Sequence, residues 1–586
     1  MCGIFALLNN ESNHTMKYIE EEFMKGRGRG PEFSTLKKVN FGAIFGFHRL
    51  AINGLNDESN QPIVIGNVSL ICNGEIYNYR ELYKMMNISP ITDSDCEVIV
   101  HLYIKYGIDQ TLQMLDGVFA FVLCDTNSDN LESKIIVARD PYGVRPLYAM
   151  HKRIETTLNS TVFLETTNST NLIAFASEMK VLKNFATNEY SIVHFEPGTY
   201  SIYSLPPKII AQWKPEIKNK VYHSYGFNSN MFQNENEKEN EEKEKEKDFQ
   251  MAIDGIQKHL LHAVRKRVLI TERPIACLLS GGLDSSLITA LVNEVYQEIS
   301  EGKQLETFSI GLADSEDLKY ARIVADHLKT KHTEIVLTES DFLQAIPEVI
   351  QAIESYDTTT VRASIGNYLL GKYISENSDA KVIFNGDGSD ELCGGYLYMH
   401  AAPDAVEFDK ECRRLLKDIH AFDVLRSDKC ISSHGLEPRT PFLDRSWVQY
   451  YLSIHPALRF HPGNNQCEKY LLRTAFSERY YSRELLPTSI LWRKKEAFSD
   501  GVSKMNRSLY EIIQDHVKTL PSTVLQVLTN IRDEVRPDTL EKKYYRHLFE
   551  RFYPSFGNVV PYFWMPRYVE ATDASARTLH LYNSLN

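Results

Sequence analysis

The sequence predicts two α/β domains, and three observations support this prediction. Short β-branched or aromatic runs, cut by turn residues, fill the first part of the chain, with helical spacing of apolar residues between them. After an acidic tract, strand-like runs alternate with helical ones. The chain has 586 residues, enough to bury more than one core. We therefore expect domains over residues 1–200 and 251–586, joined by a linker over 201–250.

The first domain is expected to contain stacked sheets. Its strand-like runs are FGAIFGFHRLAI, VSLICNGEIYN, GVFAFVLCD, KIIVARD and LIAFASE. Asp95 to Tyr106 carries helical spacing, so the domain should be a layered α/β structure.

The acidic tract from Asn234 to Asp248 reads NENEKENEEKEKEKD and has no apolar residue. It cannot bury enough surface to offset its ordering entropy, which favours a mobile insertion at the domain boundary. An exposed helix held by Glu and Lys pairs four residues apart is the alternative.

The second domain begins with a predicted helix from Phe249 to Leu269. The next elements in order are the strand PIACLLS, a helix opened by SGGLDSS, the strand ETFSIGL, the helix LKYARIVADHL and the strand KVIFNGD. This alternation is typical of a parallel, doubly wound sheet that binds ligands at the carboxyl ends of its strands. From Asp404 onward the pattern is mostly helical.

The composition argues against several classes of partner and site. A net charge of −12 argues against nucleic acid as a partner, because phosphate contacts need clustered Lys and Arg. Without a bilayer-length apolar stretch or a signal-peptide pattern, we expect a cytoplasmic protein with no membrane partner. The nine cysteines include no CxxC pair, so neither a disulfide framework nor a structural metal site is expected. Five should be buried core thiols: Cys72, Cys96, Cys124, Cys277 and Cys393.

Cys2 directly follows Met1. Loss of Met1 leaves a thiol and an α-amine on one residue, and an amine with a pKa near ~7.7–8.0 takes the thiol proton at neutral pH. For an isolated MC dipeptide, a small residue after the start codon is the simpler interpretation.

Ser280 to Ser286, SGGLDSS, lies between an apolar strand and an apolar-periodic helix. Glycines let N–H groups approach a phosphate, serines add donors, and the helix N-terminus is positive, so an anion site is favoured over a structural turn. The run Gly26 to Gly30, GRGRG, has no suitable strand before it, so a dinucleotide site there is discounted.

Asp387 to Glu391, DGSDE, follows the strand Val382 to Phe384. Carboxylates beside a triphosphate need a divalent cation between them, which indicates Mg²⁺, although a solvated acidic turn is the alternative. Arg493 to Glu496, RKKE, is suited to neutralise phosphate charge in a transition state, with surface charge as the alternative.

Together these motifs resemble the glutamine-dependent asparagine synthetase family. The motifs are MCGIF, FHRLAI, NGEIYN, SDCE, LDGVFAFVLCD, RDPYGVRPLY, LLSGGLDSS, TTVRAS, GDGSDE and KEAFSDG. The resemblance implies a class II glutamine amidotransferase with the αββα sandwich of N-terminal-nucleophile hydrolases, followed by an ATP-pyrophosphatase of the PP-loop type. It also implies glutamine, aspartate and ATP as substrates, Mg²⁺ as cofactor, and a homodimer.

In the first domain, the resemblance implies that Cys2 attacks the glutamine side-chain amide, with Asn73 and Gly74 as the oxyanion hole. Arg49 would bind the substrate carboxylate, and Glu75 and Asp95 its α-ammonium group. For Glu75, structural support of the pocket stays open. The complete set implied for glutamine is Arg49, Leu50, Ala51, Ile52, Asn53, Asn73, Gly74, Glu75 and Asp95.

In the second domain, the resemblance implies that Asp284 and Asp390 hold Mg²⁺ and that Lys495 stabilises the displacement forming β-aspartyl-AMP. Ammonia would reach this intermediate through an internal apolar passage. Thr360 and Arg362 are assigned to the aspartate or nucleotide region. The implied ATP-binding residues are Leu279, Ser280, Gly281, Gly282, Asp284, Ser285, Ile310, Asn385 and Gly386.

Two departures from the family pattern bear on activity. The family's SGEGSDE reads NGDGSDE here, so Asp387 replaces a glutamate assigned to catalysis. One methylene moves a carboxylate by about 1 Å, so reduced synthetase activity is a hypothesis. The family's HRGPD reads GRGPE over Gly28 to Glu32, which loses a histidine and lengthens the acid.

Two other functions stay in view. A β-lactam synthetase has a similar adenylating half, but such relatives typically lack the nucleophile, and this chain keeps Cys2, Arg49 and Asp95. A non-synthesising scaffold with at most a bare glutaminase is supported only by Asn385 and Asp387.

Overall fold

The chain divides into two compact units. The first contains Met1–Ser224 and Glu550–Val559, and the second contains Tyr225–Phe549 and Val560–Asn586. The computed structural model describes residues 2–10, 13–39, 42–126, 133–153, 171–205, 212–225, 241–464, 466–493, 495, 501–503, 507–525 and 532–580. Met1, whose removal we expect from the sequence, lies outside these residues.

The first unit is built from two antiparallel six-stranded sheets, in the orders β10-β8-β9-β1-β3-β2 and β12-β11-β7-β6-β5-β4. Its elements are β1 (Gly3–Leu8), α1 (Met16–Phe23), β2 (Phe33–Lys38), β3 (Ile44–Arg49), β4 (Ile63–Ile65), β5 (Val68–Ile76), α2 (Tyr79–Met86), α3 (Val98–Met114), β6 (Gly117–Asp125), β7 (Ser133–Arg139), β8 (Tyr148–Lys152), β9 (Ile173–Ala176), α4 (Met179–Leu182), β10 (Tyr190–His194), β11 (Thr199–Leu205) and β12 (Lys214–Val221). The expected boundary at residue 200 therefore falls inside β11, and the first unit continues to Ser224 because β11 and β12 complete its second sheet.

Apolar side chains hold these sheets and helices in layers. One core lies between the sheets and includes Phe45 of β3 and Ile71 of β5. A second core packs β5 and β6 against α2 and α3. On the outer face of the first sheet, Phe5 of β1 contacts Phe23 of α1, with ring centroids 6.0 Å apart. The layered α/β arrangement predicted from alternating strand-like runs is thus observed.

The second unit contains a five-stranded, fully parallel sheet in the order β15-β14-β13-β16-β17. Its elements are α5 (Glu241–Leu269), β13 (Ile275–Leu278), α6 (Leu283–Ile299), β14 (Glu306–Leu312), α7 (Glu316–Leu328), β15 (Lys331–Leu337), α8 (Glu339–Ile353), α9 (Thr358–Asn377), β16 (Val382–Phe384), α10 (Ser389–Cys393), α11 (Ala405–Asp418), α12 (Asp423–Ser432), β17 (Glu437–Arg439), α13 (Arg445–Ser453), α14 (Pro456–Arg459), α15 (Tyr470–Ala475), α16 (Thr488–Leu491), α17 (Leu509–Lys518) and α18 (Leu540–Phe552). Because β13 lies between β14 and β16, the loops after these three strands meet at one edge of the sheet.

The acidic tract is helical where the structure describes it, since α5 begins at Glu241. Residues 234–240 of the tract lie outside the described residues. Within the described parts of the chain, no helix is long and apolar enough to span a membrane. The five cysteines expected in the core are all buried and unbridged.

Candidate active sites

The first site forms where β1 begins. The half-buried Cys2 thiol donates to the Leu50 carbonyl, with Sγ 3.7 Å from the oxygen. The Cys2 carbonyl accepts a hydrogen bond of 3.0 Å from Nε of Arg29, whose side chain is fully buried. The main chain of Cys2 is therefore fixed by a buried cation, beside the loop that follows β3.

Asn73 and Gly74 lie in β5, in the facing sheet. The Ser177 hydroxyl accepts the Ile4 N–H at 3.1 Å and lies 3.5 Å from Nδ2 of Asn73, which connects the amide to the start of β1. Oδ1 of Asn73 is buried and has no hydrogen-bond partner among the described residues. A Cβ on Gly74 would lie 2.5 Å from the Val118 carbonyl oxygen, so the approach of β5 to β6 itself requires glycine.

Arg49 is held by neutral oxygens of its own loop. Its Nη1 donates to the Asn56 carbonyl and to Oδ1 of Asn60, each at 2.8 Å, and its Nη2 donates to the Gly54 carbonyl. These bonds use three of the five guanidinium donors and fix the orientation of the group. The loop after β3 thus fixes the orientation of the Arg49 guanidinium.

The two carboxylates predicted for the same site are also oriented by neutral donors. Oδ2 of Asp95 accepts the Ile76 N–H at 2.7 Å, and Oε2 of Glu75 accepts Nδ2 of Asn53 at 2.6 Å. Both side chains are buried, as are the four residues after β3 assigned to glutamine, namely Leu50, Ala51, Ile52 and Asn53. The structure therefore brings the predicted residues of this site together around β3 and β5.

Sequence reasoning missed Arg29 and Ser177 at this site. Arg29 belongs to the GRGRG run, whose basic residues were considered only for phosphate binding. Burial of a cation beneath Cys2 depends on the fold and has no local sequence signal. Glu32, the lengthened acid of the GRGPE run, accepts the Ala51 N–H through Oε2 at 2.7 Å and thereby supports the loop after β3.

The second site is a cavity at the carboxyl edge of the parallel sheet. Most residues predicted for this site line it: Leu279, Ser280, Gly282, Asp284, Ser285, Ile310, Asn385, Gly386, Asp387, Asp390 and Lys495. Ser280 and Ser285 close the loop after β13, with 2.9 Å between their hydroxyl oxygens. Gly386 after β16 touches this loop, since a Cβ on it would lie 2.7 Å from the Asp284 carbonyl carbon. The two motifs therefore meet, as predicted.

Gly281 supports the loop from outside the cavity lining. It has φ +72°, and a Cβ there would lie 2.4 Å from the Ala321 nitrogen of α7. A side chain at this position would push the loop away from α7. Packing against α7 therefore requires glycine at position 281, whereas Gly282 lines the cavity.

Two acidic and two basic side chains alternate in the lining of the cavity. We call this group the charge square, and its members are Asp284, Asp390, Lys469 and Lys495. Nζ of Lys469 lies 2.6 Å from Asp284 and 2.5 Å from Asp390, and Nζ of Lys495 lies 3.4 and 2.6 Å from the same two carboxylates. Burial favours a raised pKa for Asp390, but Lys469 and Lys495 outweigh it and hold that pKa below its ordinary value. Asp390 is therefore ionised at neutral pH.

A second polar cluster lines the cavity near α10 and α12. Nη2 of Arg426 donates to Asp423 at 2.7 Å and to Asp387 at 3.1 Å. The Tyr396 hydroxyl donates to Glu391 at 2.6 Å and lies 3.1 Å from Asp423. Burial, and then the nearby Asp423, raise the pKa of Glu391 well above its ordinary value. This environment therefore favours the protonated form of Glu391, whereas for Asp423 the Arg426 guanidinium outweighs burial and holds the pKa below its ordinary value.

Thr360 and Arg362 do not line this cavity. The N–H and hydroxyl of Thr360 donate to Asp357, which caps the N-terminus of α9. Arg362 is buried in ion pairs with Glu541 and Asp573. Their neighbours on α9, Thr359 and Ala363, line the cavity instead, together with Asn367 and Leu370.

Sequence reasoning missed Lys469, Arg426 and Asp423. Lys469 is 185 positions from Asp284, its partner in the charge square. The two predicted carboxylates at one sheet edge do indicate that cations lie nearby. The sequence does not specify which of many lysines supplies the second cation beside Lys495.

Comparison with known proteins agrees with the two units. A glutamine amidotransferase domain model matches residues 1–204, and an asparagine synthase model matches residues 255–407 and 401–553. The asparagine synthetase (glutamine-hydrolyzing) of Gallus gallus is 40% identical over 599 residues, covering 100% of this chain and 99% of the relative. That of Homo sapiens is 39% identical with the same coverage, and that of Cricetulus griseus is 39% identical over 603 residues.

The class is thus an enzyme that joins an amidotransferase domain to an ATP-using synthase domain. This chain belongs to the asparagine synthase family.

Proposed function

We propose that this protein synthesises asparagine from aspartate, with glutamine as nitrogen donor and ATP as the activating substrate. The proposal rests on one observation: the chain contains a cysteine nucleophile site in one unit and a phosphate-loop cavity in the other. Full-length similarity to glutamine-hydrolyzing asparagine synthetases supports the same assignment. The products are asparagine, glutamate, AMP and pyrophosphate.

In the first unit, the Cys2 thiolate attacks the glutamine amide carbon. Asn73 and the Gly74 N–H stabilise the oxyanion, and its collapse to a thioester releases ammonia. Water then hydrolyses the thioester to glutamate. Arg49 binds the substrate carboxylate, while Asp95 and Glu75 bind its α-ammonium group, so each charge of the amino acid meets an oriented partner. We assign this unit the N-terminal-nucleophile hydrolase fold.

In the second unit, the loop Ser280–Ser285 binds the ATP phosphates, and Leu279, Ile310 and Gly386 contact the adenosine. Asp284 and Asp390 have hard oxygen donors of the kind that Mg²⁺ prefers; they would hold this ion, which would neutralise phosphate charge. The β-carboxylate of aspartate attacks the α-phosphorus and displaces pyrophosphate. Lys495 and Lys469 bind the charge that develops on the phosphates. We assign this unit the PP-loop type.

We place aspartate at the end of the cavity formed by Asp387, Glu391, Tyr396, Asp423 and Arg426, which we call the amino-acid end. Arg426 provides a guanidinium for the α-carboxylate, and Asp423 and Asp387 provide carboxylates for the α-ammonium group. Ammonia from the first unit attacks the β-aspartyl-AMP formed there, and AMP leaves. A homodimer in the cytoplasm is the further expectation from the resemblance.

Cys2→Ala tests the division of labour between the two units. Without a nucleophile, glutamine-dependent synthesis should fall to background, while ammonium chloride should still support asparagine and AMP formation at near wild-type rates. Release of both products is measured with glutamine or ammonium as nitrogen source, and wild-type protein is the control. Loss of both activities in a folded variant would contradict two separate sites. Wild-type protein that releases no AMP with aspartate present would favour the non-synthesising scaffold.

A further inference from the structure

One wall of the cavity comes from the end of the chain. We call residues Phe563 to Leu579 the C-terminal strap. Its Ala576 lines the cavity. Its Trp564 packs on Tyr396 of the amino-acid end, with ring centroids 5.2 Å apart, and Leu579 packs in the same apolar cluster. The strap therefore contributes Ala576 to the cavity lining and packs on the amino-acid end through Trp564.

Two contacts hold the strap to the first turns of α9. Oδ1 of Asp357 accepts the Trp564 N–H at 2.8 Å. Arg362 binds the Asp573 carboxylate bidentately, with Nη1–Oδ1 2.8 Å and Nη2–Oδ2 2.9 Å. Oδ1 of Asp573 also accepts the Ser575 N–H at 2.8 Å, so the Asp573 carboxylate fixes the turn immediately before Ala576.

Arg362 is anchored independently of the strap. Its Nε and Nη2 bind Glu541 at 2.8 and 2.5 Å, and its guanidinium carbon lies 4.8 Å from the centroid of the Tyr510 ring. The side chains of Arg362 and Asp573 are only 3% and 13% exposed. A guanidinium held in this way presents a rigid pair of donors to Asp573, and bidentate pairs of this kind impose geometry as well as binding energy.

Arg362 does not line the cavity, although Thr359 and Ala363 of the same helix do. We infer that Arg362 is a positioning residue that acts on synthesis through Asp573, by holding the strap against the amino-acid end of the cavity. Trp564 then holds Tyr396, whose hydroxyl binds Glu391 and Asp423. This inference rests on the proposed binding of aspartate at that end.

The test uses Asp573→Asn rather than a substitution of Arg362. Removing the arginine leaves Glu541 and Asp573 as two buried carboxylates without their cation, which endangers folding. The asparagine side chain keeps the size of the aspartate that it replaces, and Arg362 keeps its bonds to Glu541. Asp409→Asn is the matched control, because Asp409 is 16% exposed, binds the buried Arg459 and lies outside the cavity lining.

We expect Asp573→Asn to raise KM for aspartate about 10-fold, because displacement of groups around a bound substrate by about 1 Å carries large rate effects. KM for ATP and glutamine hydrolysis at Cys2 should stay within about twofold of wild type. Asp409→Asn should leave all three unchanged, even at an equal loss of melting temperature.

An aspartate KM in Asp573→Asn equal to that in Asp409→Asn would overturn the inference and leave the proposed function intact. Wild-type protein that forms no AMP from aspartate and ATP would overturn the proposed function itself. Limited proteolysis gives an independent measurement. Cleavage within the strap should be faster in Asp573→Asn than in the control, and equal rates would also contradict the inference.

Discussion

The two sites of this molecule hold their charged groups in opposite ways. In the first unit, Arg49 is bound by carbonyl and amide oxygens, and Asp95 by a backbone N–H. In the second, Asp284 and Asp390 are bound by Lys469 and by Lys495. The bonds described for Arg49 and Asp95 are therefore to dipoles, whereas those described for Asp284 and Asp390 are to other charges.

This difference bears on how each site receives its ligand. Under the proposed function, an amino acid that enters the first site meets charged groups that neutral donors and acceptors already orient. A triphosphate entering the second site must share lysines that already pair with carboxylates, so binding exchanges one ion pair for another. Loss of one charge from the first site should weaken ligand binding, whereas loss of one from the second leaves a buried charge uncompensated.

Lys469→Met should have the largest effect. Asp284 and Asp390 would then share only Lys495, and their excess negative charge would repel the phosphates of ATP. We expect the rate of AMP release to fall by at least about 10³-fold, as for loss of a positioned electrostatic group. Glutamine hydrolysis should stay within about twofold of wild type, because the first site contains none of these groups. Both rates are measured on the same preparation.

Lys266→Met is the matched control for this prediction. Lys266 is also largely buried, but its partner Asp444 is bound by Arg267 as well, and neither Lys266 nor Asp444 lines the cavity. AMP release in this variant should remain close to wild type. Comparable losses in the two variants would mean that Lys469 acts through general stability, and the contrast between the sites would fail.

Asp387→Glu should have a smaller effect, in the opposite direction. Oδ2 of Asp387 is buried with no hydrogen-bond partner among the described residues, while Oδ1 is 3.1 Å from Arg426. A longer side chain carries the carboxylate about 1 Å further into the cavity, and we expect AMP release about 5- to 10-fold faster. Steady-state assays at saturating ATP and aspartate measure this. A slower variant would mean that the Arg426 side of the cavity has adapted to the shorter acid.

The fold was largely predictable because its signals are local. The alternation of apolar strands and amphipathic helices marked β13, α6, β14 and α7 in order, and it therefore predicted the parallel sheet. The predicted boundary at residue 200 falls inside β11, because β11 and β12 carry no local signal that assigns them to the first unit. Only the pairing of β11 with β7 makes that assignment.

The sites were predictable where a motif carries its own chemistry. SGGLDSS and DGSDE indicated an anion site and neighbouring carboxylates from residue types and order alone. Lys469, Arg426 and Arg29 lie far along the chain from the groups they serve, and only the folded structure brings them there. A motif can also leave the contacts of a residue unspecified. Resemblance assigns Arg362 to the aspartate or nucleotide region, and the structure shows its ion pairs with Glu541 and Asp573.

Glu391→Gln should have the smallest effect, visible in the pH dependence of stability. The folded protein holds Glu391 at a pKa well above the ordinary value of about 4.3. Between those two values the folded state binds more protons than the unfolded state, so the free energy of unfolding falls as pH rises. The contribution is therefore complete below the ordinary pKa and is lost as pH rises through the folded one.

Glutamine at this position cannot ionise and removes that dependence. Between pH 5 and pH 8, the melting temperature of the second unit should fall by about 2–4 °C less in Glu391→Gln than in wild type, if roughly 1 kcal/mol is involved. Calorimetry measures both transitions, and the transition of the first unit is the internal reference because it contains no part of this cluster. Equal slopes in the two proteins would mean that Glu391 is ionised in the folded state.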